Sequence, residues 1–340
     1  MPSVIERIAR ELDISTASVS RALNDRAGVG AELRERILAK ARELNYTPSL
    51  TARGLATAQT FAIGFFVREK PGLPMHADPF YGEILLGVEQ ACANSDYHVI
   101  VATLTEDNLA RPTDFRFVRE QRMDGMILAG PDIPNDFIIS MLQTDMPVVL
   151  IDNCLDYLSV SCVNSDDEQG AYMAARHLLE GGHRQIGVIA GPKRWASTMR
   201  RVRGYQRALQ EAGLPLHAVH ADQTTIESGQ EAYRQLSAQH PGLTAICAVN
   251  DAMAIGAIRA ARSSGKAIPT DLSVVGFDNI NWASLNDPPL TTVNIPKHQM
   301  GKEAANRLIA LLNDPELQPA EIKVAVQFVE RESSRALSEE

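Results

Sequence analysis

Apolar residues near the start of the chain recur at helical spacing in three short blocks. Ser3 followed by Glu6 forms a capping box, and Ile5, Ile8, Ala9 and Leu12 then mark one helix face. LDIS breaks that period, and Ser15 stands where it can cap a second helix. After NDRAGVG, the segment AELRERILAKARELNY places Leu33, Ile37, Ala41 and Leu44 on one side of a third helix. Pro48 ends the pattern, and SLTARGLATAQT, rich in small residues, reads as a linker up to residue 60.

From residue 61 the texture changes. Short runs rich in Val and Ile (FAIGFFV, YHVIVATL, GMILAG, PVVLID, QIGVIAG, TAICAVND, LSVVGFD) alternate with amphipathic stretches. Nearly continuous apolar strands between helices predict parallel sheets covered on both faces. There are too many such units for one compact sheet, so residues 61–340 are expected to hold two Rossmann-like α/β subdomains behind an all-α headpiece.

Composition adds three constraints. With 45% hydrophobic and 22% charged residues over 340 positions, the chain is globular and long enough for two or three domains. No apolar run is long enough for a membrane span, and MPSVIERIARE carries four charges, so no signal peptide and a cytoplasmic location are expected. Cys92, Cys154, Cys162 and Cys247 are scattered without a CxxC pair, which predicts idle thiols, with no metal site and no cofactor. The net charge of −9 is uneven: residues 1–60 hold nine Lys and Arg against seven Asp and Glu, the remainder 24 against 35. A mildly basic front on an acidic body fits separate partners for the two parts.

The second helix, ISTASVSRALN, carries the most specific chemistry at this end. At 100° per residue Val19, Ala22 and Leu23 share one side, while Ala17, Arg21 and Asn24 fall opposite, with Thr16 and Ser20 at the margins. Small residues let a helix lie deep in the major groove, and an arginine can donate twice to guanine. A plain solvated face has the same periodicity. The order of residues separates the two readings. IS-TASVSRALN, RERI, LNYTPS and AR-L, in register over about fifty residues, resemble the headpiece of the lactose-repressor (LacI/GalR) family of transcription regulators. The resemblance implies a helix-turn-helix domain over 1–47, with Thr16, Ala17 and Arg21 reading bases and Ser20 and Asn24 near phosphates. It also implies a hinge helix within 48–60 whose Leu55 wedges into the minor groove. Arg7, where the family more often has aspartate, Gly30, in place of a serine cap, and Gly54 within the hinge depart from the pattern.

In open parallel sheets, ligands bind beyond the carboxyl ends of the strands. Those ends are Gly130, Asp152, Gly191-Pro192, Asn250-Asp251 and Asp278, a set that can build a polar cleft gripping hydroxyl groups, with Asp251 expected merely to cap the following helix. HLLEGGHRQIGVIAGP, RRVRGYQRAL, VNDAMAIGAIRAARSSGKAIPTDLSVVGFDN and PLTTVNIP resemble the same family's effector-binding core, which shares its fold with periplasmic sugar-binding proteins. By that resemblance the effector contacts are Phe80, Tyr81, Asp152, Trp195, Ser197, Arg201, Gln223, Asn250 and Asp278. Asp78 and His76 can also reach the cleft, with a surface placement expected for both. The implied subdomains are 61–158 with 295–321 and 159–294 with 322–340.

No GxGxxG after a strand, GxxxxGK[ST], HExxH or GxSxG occurs, which leaves the common enzyme mechanisms without their residues. The expected protein is a homodimeric, DNA-binding repressor, not an enzyme, that recognises a near-palindromic double-stranded operator and is controlled by a sugar or sugar derivative. A purine, nucleoside or other non-sugar effector is the rival within that class. A solute-binding protein without a DNA role is the rival outside it.

Overall fold

The structure, a computed structural model, describes residues 3–24, 27–46, 59–70, 73–155 and 157–337. The chain divides into two compact units, Met1–Phe61 with Gln121–Asp124, and the remainder. Leu55 and most of the expected hinge lie outside the described residues.

Among the described residues, the first unit contains three helices, α1 (Val4–Glu11), α2 (Thr16–Leu23) and α3 (Ala31–Glu43). The Ser3–Glu6 capping box is present in both directions, and Ser15 Oγ accepts from the Ser18 amide at 3.0 Å. Gly30 begins α3 with no side-chain cap, as a residue without an acceptor must. Ile8, Ala9, Val19, Ala22, Ile37 and Ala41 form the core, two from each helix, with Leu12, Leu23, Leu33 and Leu44 packed against it.

The second unit is α/β throughout. Its first sheet has the order β11-β5-β4-β3-β1-β2, all neighbours parallel: β1 (Ala62–Arg68), β2 (His98–Leu104), β3 (Gly125–Ala129), β4 (Val148–Ile151), β5 (Ser161–Ser165) and β11 (Glu321–Val324). The second, also parallel, runs β7-β6-β8-β9: β6 (Ile186–Ala190), β7 (His217–His220), β8 (Ala245–Ala248) and β9 (Ser273–Val275). A short antiparallel pair, β10 (Thr292–Asn294) with β12 (Gln327–Val329), completes it. Strands β5 and β11 extend the first sheet past the expected boundaries at 158 and 321. They do so because their backbones pair with β4 and with each other, whatever their side-chain hydropathy.

Counting helices of two turns or more, the body contains α4 (Tyr81–Ala93), α5 (Asn135–Leu142), α6 (Asp167–Glu180), α7 (Ala196–Glu211), α8 (Ile226–Gln239), α9 (Asp251–Ser263) and α10 (Lys297–Asn313). Both sheets reverse strand order in their interior, between β2 and β3 around β1 and between β7 and β8 around β6. A crevice at the carboxyl ends of the strands is expected at such switch points. Helices α4 and α10 pack backbone to backbone through Gly87 and Gly301. A methyl group on Gly301 would run into the Ile84 carbonyl oxygen, and one on Gly87 into that of His298.

This contact gives a paired prediction. Gly301→Ala should destabilise the body by about 2 kcal/mol, because overpacking outweighs the gain in helix propensity. Gly82→Ala, on α4 with open space around it, should stabilise by about 0.5 kcal/mol. Urea denaturation of the full chain distinguishes the two, and equal effects would contradict the close approach.

Candidate functional site

On α2 of the headpiece, Val19 and Ala22 face the core while Thr16, Ala17 and Arg21 are exposed. Thr16, Ala17 and Arg21 thus lie outward as expected, whereas Asn24, expected opposite the core, does not. Ser20 and Asn24 are half-buried. Asn24 Nδ2 donates back to the Ser20 carbonyl at 2.8 Å, and its Oδ1 is a buried acceptor without a partner among the described residues. Arg7 pairs with Glu11 at 2.9 Å, and Lys40 bridges Glu11 and Glu43 at 2.8 and 3.0 Å, lowering the Glu11 carboxyl below its usual range.

In the body, one cavity of about 130 Å³ opens at the strand ends of both sheets. Phe80, Tyr81, Asp152, Trp195, Ser197, Arg201, Asn250 and Asp278 all line it. Each comes from a strand exit or from the start of the helix that follows. Phe80 and Tyr81 begin α4, edge to face at 5.2 Å; Trp195 and Ser197 open α7; Asp152 follows β4 and Asp278 follows β9.

Arg201 organises the cavity floor. Its Nε donates to Asp167 Oδ1 at 2.8 Å, and its Nη1 donates to Asp278 Oδ1 at 3.0 Å and to the Val249 carbonyl. Arg200 donates to the second Asp167 oxygen at 3.1 Å. Two groups facing this region lack protein partners. Trp195 Nε1 is a buried donor with no acceptor, and the Asp152 carboxyl, 7% exposed, receives no hydrogen bond among the described residues. Burial, with the charge of Asp167 behind it, pushes Asp152 up to about 7; burial likewise lifts Asp278 to about 6, against the pull of Arg201.

Three expectations are corrected. Gln223 is exposed and does not line the cavity; its neighbour Thr224 does, because the loop after β7 turns the glutamine to solvent. Asp78 is buried: it accepts from the amides of Phe80 and Tyr81 at 2.9 and 3.2 Å and pairs with Lys70 at 2.9 Å. The side chain of His76 lies outside the described ones. Asn250, not Asp251, caps α9, its Oδ1 accepting from the Met253 amide at 2.9 Å while Nδ2 donates to the Thr224 carbonyl. Asp251 is fully buried, accepting from the Ile280 amide at 2.8 Å and bonded to Thr292 Oγ1 at 2.5 Å. Lys70, Asp132, Thr198 and Trp282 also line the cavity and were not singled out by sequence. Lys70 and Asp132 follow β1 and β3, so the strand-end rule reaches them when applied to every strand.

A family model for the bacterial regulatory proteins of the lacI family matches residues 4–49, and one for periplasmic binding proteins and the sugar binding domain of the LacI family matches residues 60–332. The chain belongs to the LacI family of bacterial regulatory proteins. Among LacI-family relatives, the HTH-type transcriptional repressor PurR of Photobacterium profundum is 32% identical, across 99% of this chain and 100% of its own. Two solved LacI-family structures share the fold. The lac repressor dimer bound to operator and the anti-inducer ONPF aligns over 99% of this chain and 100% of its own, with 26% identity and a TM-score of 0.79. The transcriptional regulator CelR in complex with cellobiose aligns over 98% and 100%, with 28% identity and a TM-score of 0.73. The protein is thus a DNA-binding transcriptional regulator with a separate effector-binding body. No helix among the described residues is long and apolar enough to cross a membrane.

Asp251 yields a pH prediction. Burial raises its carboxyl from an ordinary 3.8 to about 8. Between those values the unfolded chain releases a proton that the folded chain keeps, so the contribution of Asp251 to stability is greatest below the lower value and is lost as pH rises toward 8. Thr292 Oγ1 donates to Asp251 in the fold; asparagine resembles the protonated carboxyl once that hydroxyl turns to accept from its Nδ2, while its Oδ1 accepts from Ile280. Asp251→Asn should flatten the decline in melting temperature between pH 5 and 8 and equal or exceed the parent at pH 8. Melting several degrees below the parent at pH 8 would show that the carboxyl is ionised in the fold.

Proposed function

We propose that this protein is a repressor, acting in the cytoplasm and catalysing no reaction, whose hold on a near-palindromic operator is set by a small polyhydroxylated ring in the body cavity. The observation that carries the effector reading is the cavity itself. It combines aromatic faces with Arg201, Asp278, an unpartnered Asp152 carboxyl and an unpartnered Trp195 Nε1 at the strand exits of two sheets. Aromatic faces cover the apolar side of a sugar ring, and paired polar groups grip its hydroxyls. The cellobiose complex of a structural relative points the same way.

On the DNA side, Arg21 donates to a guanine in each half-site, with Thr16 and Ala17 against base edges and Ser20 and Asn24 near phosphates. Two copies related by a two-fold axis would match the symmetry of the site, as in the operator-bound dimer of the lac repressor. Leu55 of each copy would enter the minor groove at its centre.

A thermal-shift screen of sugars and nucleosides on the full chain finds the effector, since a ligand of the native state raises its melting temperature. The hit should change operator affinity, and Trp195→Phe should weaken its binding about fivefold, the loss of one hydrogen bond with the ring retained. A hit that leaves operator affinity untouched would refute the regulatory role of the cavity. Binding-site selection tests the headpiece: Arg21→Ala should lose about 1–3 kcal/mol per half-site and blur one base pair of the consensus. An unchanged consensus would refute that assignment.

A further inference from the structure

We infer that the effector of this protein carries no negative charge, and that Asp132 and Asp152 are the specificity-determining residues that enforce this. The inference rests on the cavity being the effector site proposed above, and it concerns the charge class of what enters.

The groups lining the cavity include two cations, Lys70 and Arg201, and four carboxyls, Asp78, Asp132, Asp152 and Asp278. Both cations are already engaged. Lys70 pairs with Asp78 at 2.9 Å, while Arg201 pairs with Asp278 at 3.0 Å and with Asp167 at 2.8 Å. The cations around the cavity are engaged as well: Lys297 donates to the carbonyls of Asp278 and Asn279, and the exposed Arg194 lies against the Trp195 ring. Arg200 pairs with Asp167 at 3.1 Å, and Arg68 pairs with Glu106 at 2.8 Å and donates its other arm to the Asp132 carbonyl. Arg200 Nη2 is a buried donor without a partner, but Arg200 does not line the cavity. Asp132 and Asp152 therefore stand as surplus carboxyls with no ion pair among the described residues.

Their neighbourhood shows that the surplus is felt. Burial raises Asp132 above its ordinary value despite Lys70 and Arg68 nearby, and raises Asp152 despite Arg201 and Arg200. A ligand carboxylate or phosphate would bring a further charge of the same sign into a partly dry space. Its oxygens accept hydrogen bonds only, as do those of ionised Asp132. Asp152, lifted to about 7, meets an anionic oxygen only by taking up a proton first, so an anion enters against an added cost that a neutral ligand does not meet. A hydroxyl or amino group supplies that proton itself. Like charges held this close cost enough to separate a neutral ligand from its acid by at least about tenfold in affinity.

The test uses matched sets of probes on the full chain: D-glucose, D-galactose and D-mannose, each with its uronate, its 6-phosphate and its 2-amino analogue. Binding is followed by thermal shift and calorimetry at neutral pH. Every hit should be neutral or amino-bearing, with the matching uronate and phosphate at least about tenfold weaker. Asp132→Asn with Asp152→Asn should narrow that gap by fivefold or more, whereas Asp136→Asn, an exposed carboxyl outside the cavity, should leave it unchanged. Asp132→Asn alone, at a half-buried position, should narrow the gap in the same direction if the double variant does not fold. A uronate or phosphate that binds as well as its neutral partner overturns this inference while leaving the effector-site reading intact. So does a gap that survives the substitutions. Absence of binding across all sets overturns the saccharide reading of the cavity, and the inference with it.

Discussion

Arg201 carries a full charge where only 6% of the residue reaches solvent, and much of the body is arranged to make that tolerable. An unpaired buried ion costs several kcal/mol, so the guanidinium requires acceptors from whatever chain is near. It finds Asp167 at the start of α6, the Val249 carbonyl just past β8 and Asp278 beyond β9, with the Phe277 ring 4.0 Å beneath it. Burial alone would lower its affinity for protons, but the surrounding carboxylates more than reverse this. Asp167 in turn is held by Arg200 and by Ser165 at the end of β5. One charged side chain thus fixes the relative positions of the crossover from the first sheet, the exit of β8 and the exit of β9. These are the segments that place the cavity's polar groups.

The alternation of apolar runs with amphipathic stretches identified most of the strands that carry the site, because parallel strands are buried on both faces and their hydropathy says so. It did not identify β5. SCVNS has one strongly apolar residue, yet all five positions are buried. Distant chain supplies partners for most of its polar atoms: Ser161 Oγ accepts from Arg307 Nε and the Ala320 amide, and Asn164 Nδ2 faces Glu321, leaving Asn164 Oδ1 as a buried acceptor without a partner among the described residues. Local hydropathy cannot register satisfaction supplied from 150 residues away in sequence. The edge strand β7, HAVH, is invisible for a different reason: only one of its residues is fully buried.

Asp152, Asn250 and Asp278 line the cavity because strand exits follow from topology, whereas Phe80, Tyr81, Trp195, Ser197 and Arg201 rest on the family resemblance alone. What failed was the role of individual side chains at those exits. Asn250 and Asp251 are adjacent and both suit a helix cap. The backbone of Asn250 is extended, so its side chain turns back onto α9, while Asp251 points inward to Ile280 and Thr292. Sequence leaves Asp78 between cleft and surface; a carboxylate facing two free amides at the start of α4 and a lysine at 2.9 Å is well accommodated indoors. Adjacent residues of similar chemistry are separated only by the tertiary surroundings, and Gln223 and Thr224 repeat the lesson.

The same logic explains why two aspartates at strand exits can hold unusual backbones. Asp152 has φ +54° and Asp278 +102°, with Asn279 following at +51°. Such conformations cost energy for residues with a Cβ, least for Asp and Asn, and persist where the surroundings over-determine them. At 278–279 those surroundings centre on Lys297, a lysine only 2% exposed at the start of α10. Its ammonium donates to the carbonyls of Asp278 and Asn279 at 2.8 and 3.2 Å, and Arg331 holds the Asn279 side chain at 2.8 Å. The same ammonium lies 3.7 Å from Glu83 on α4, the helix that carries Tyr81 into the opposite wall of the cavity. An ammonium so deeply buried needs every one of these oxygens, so the turn that presents Asp278 and the helix that presents Tyr81 are bound to one group. The cavity's two walls therefore share a single electrostatic anchor, which sits at the chain crossing between the sheets.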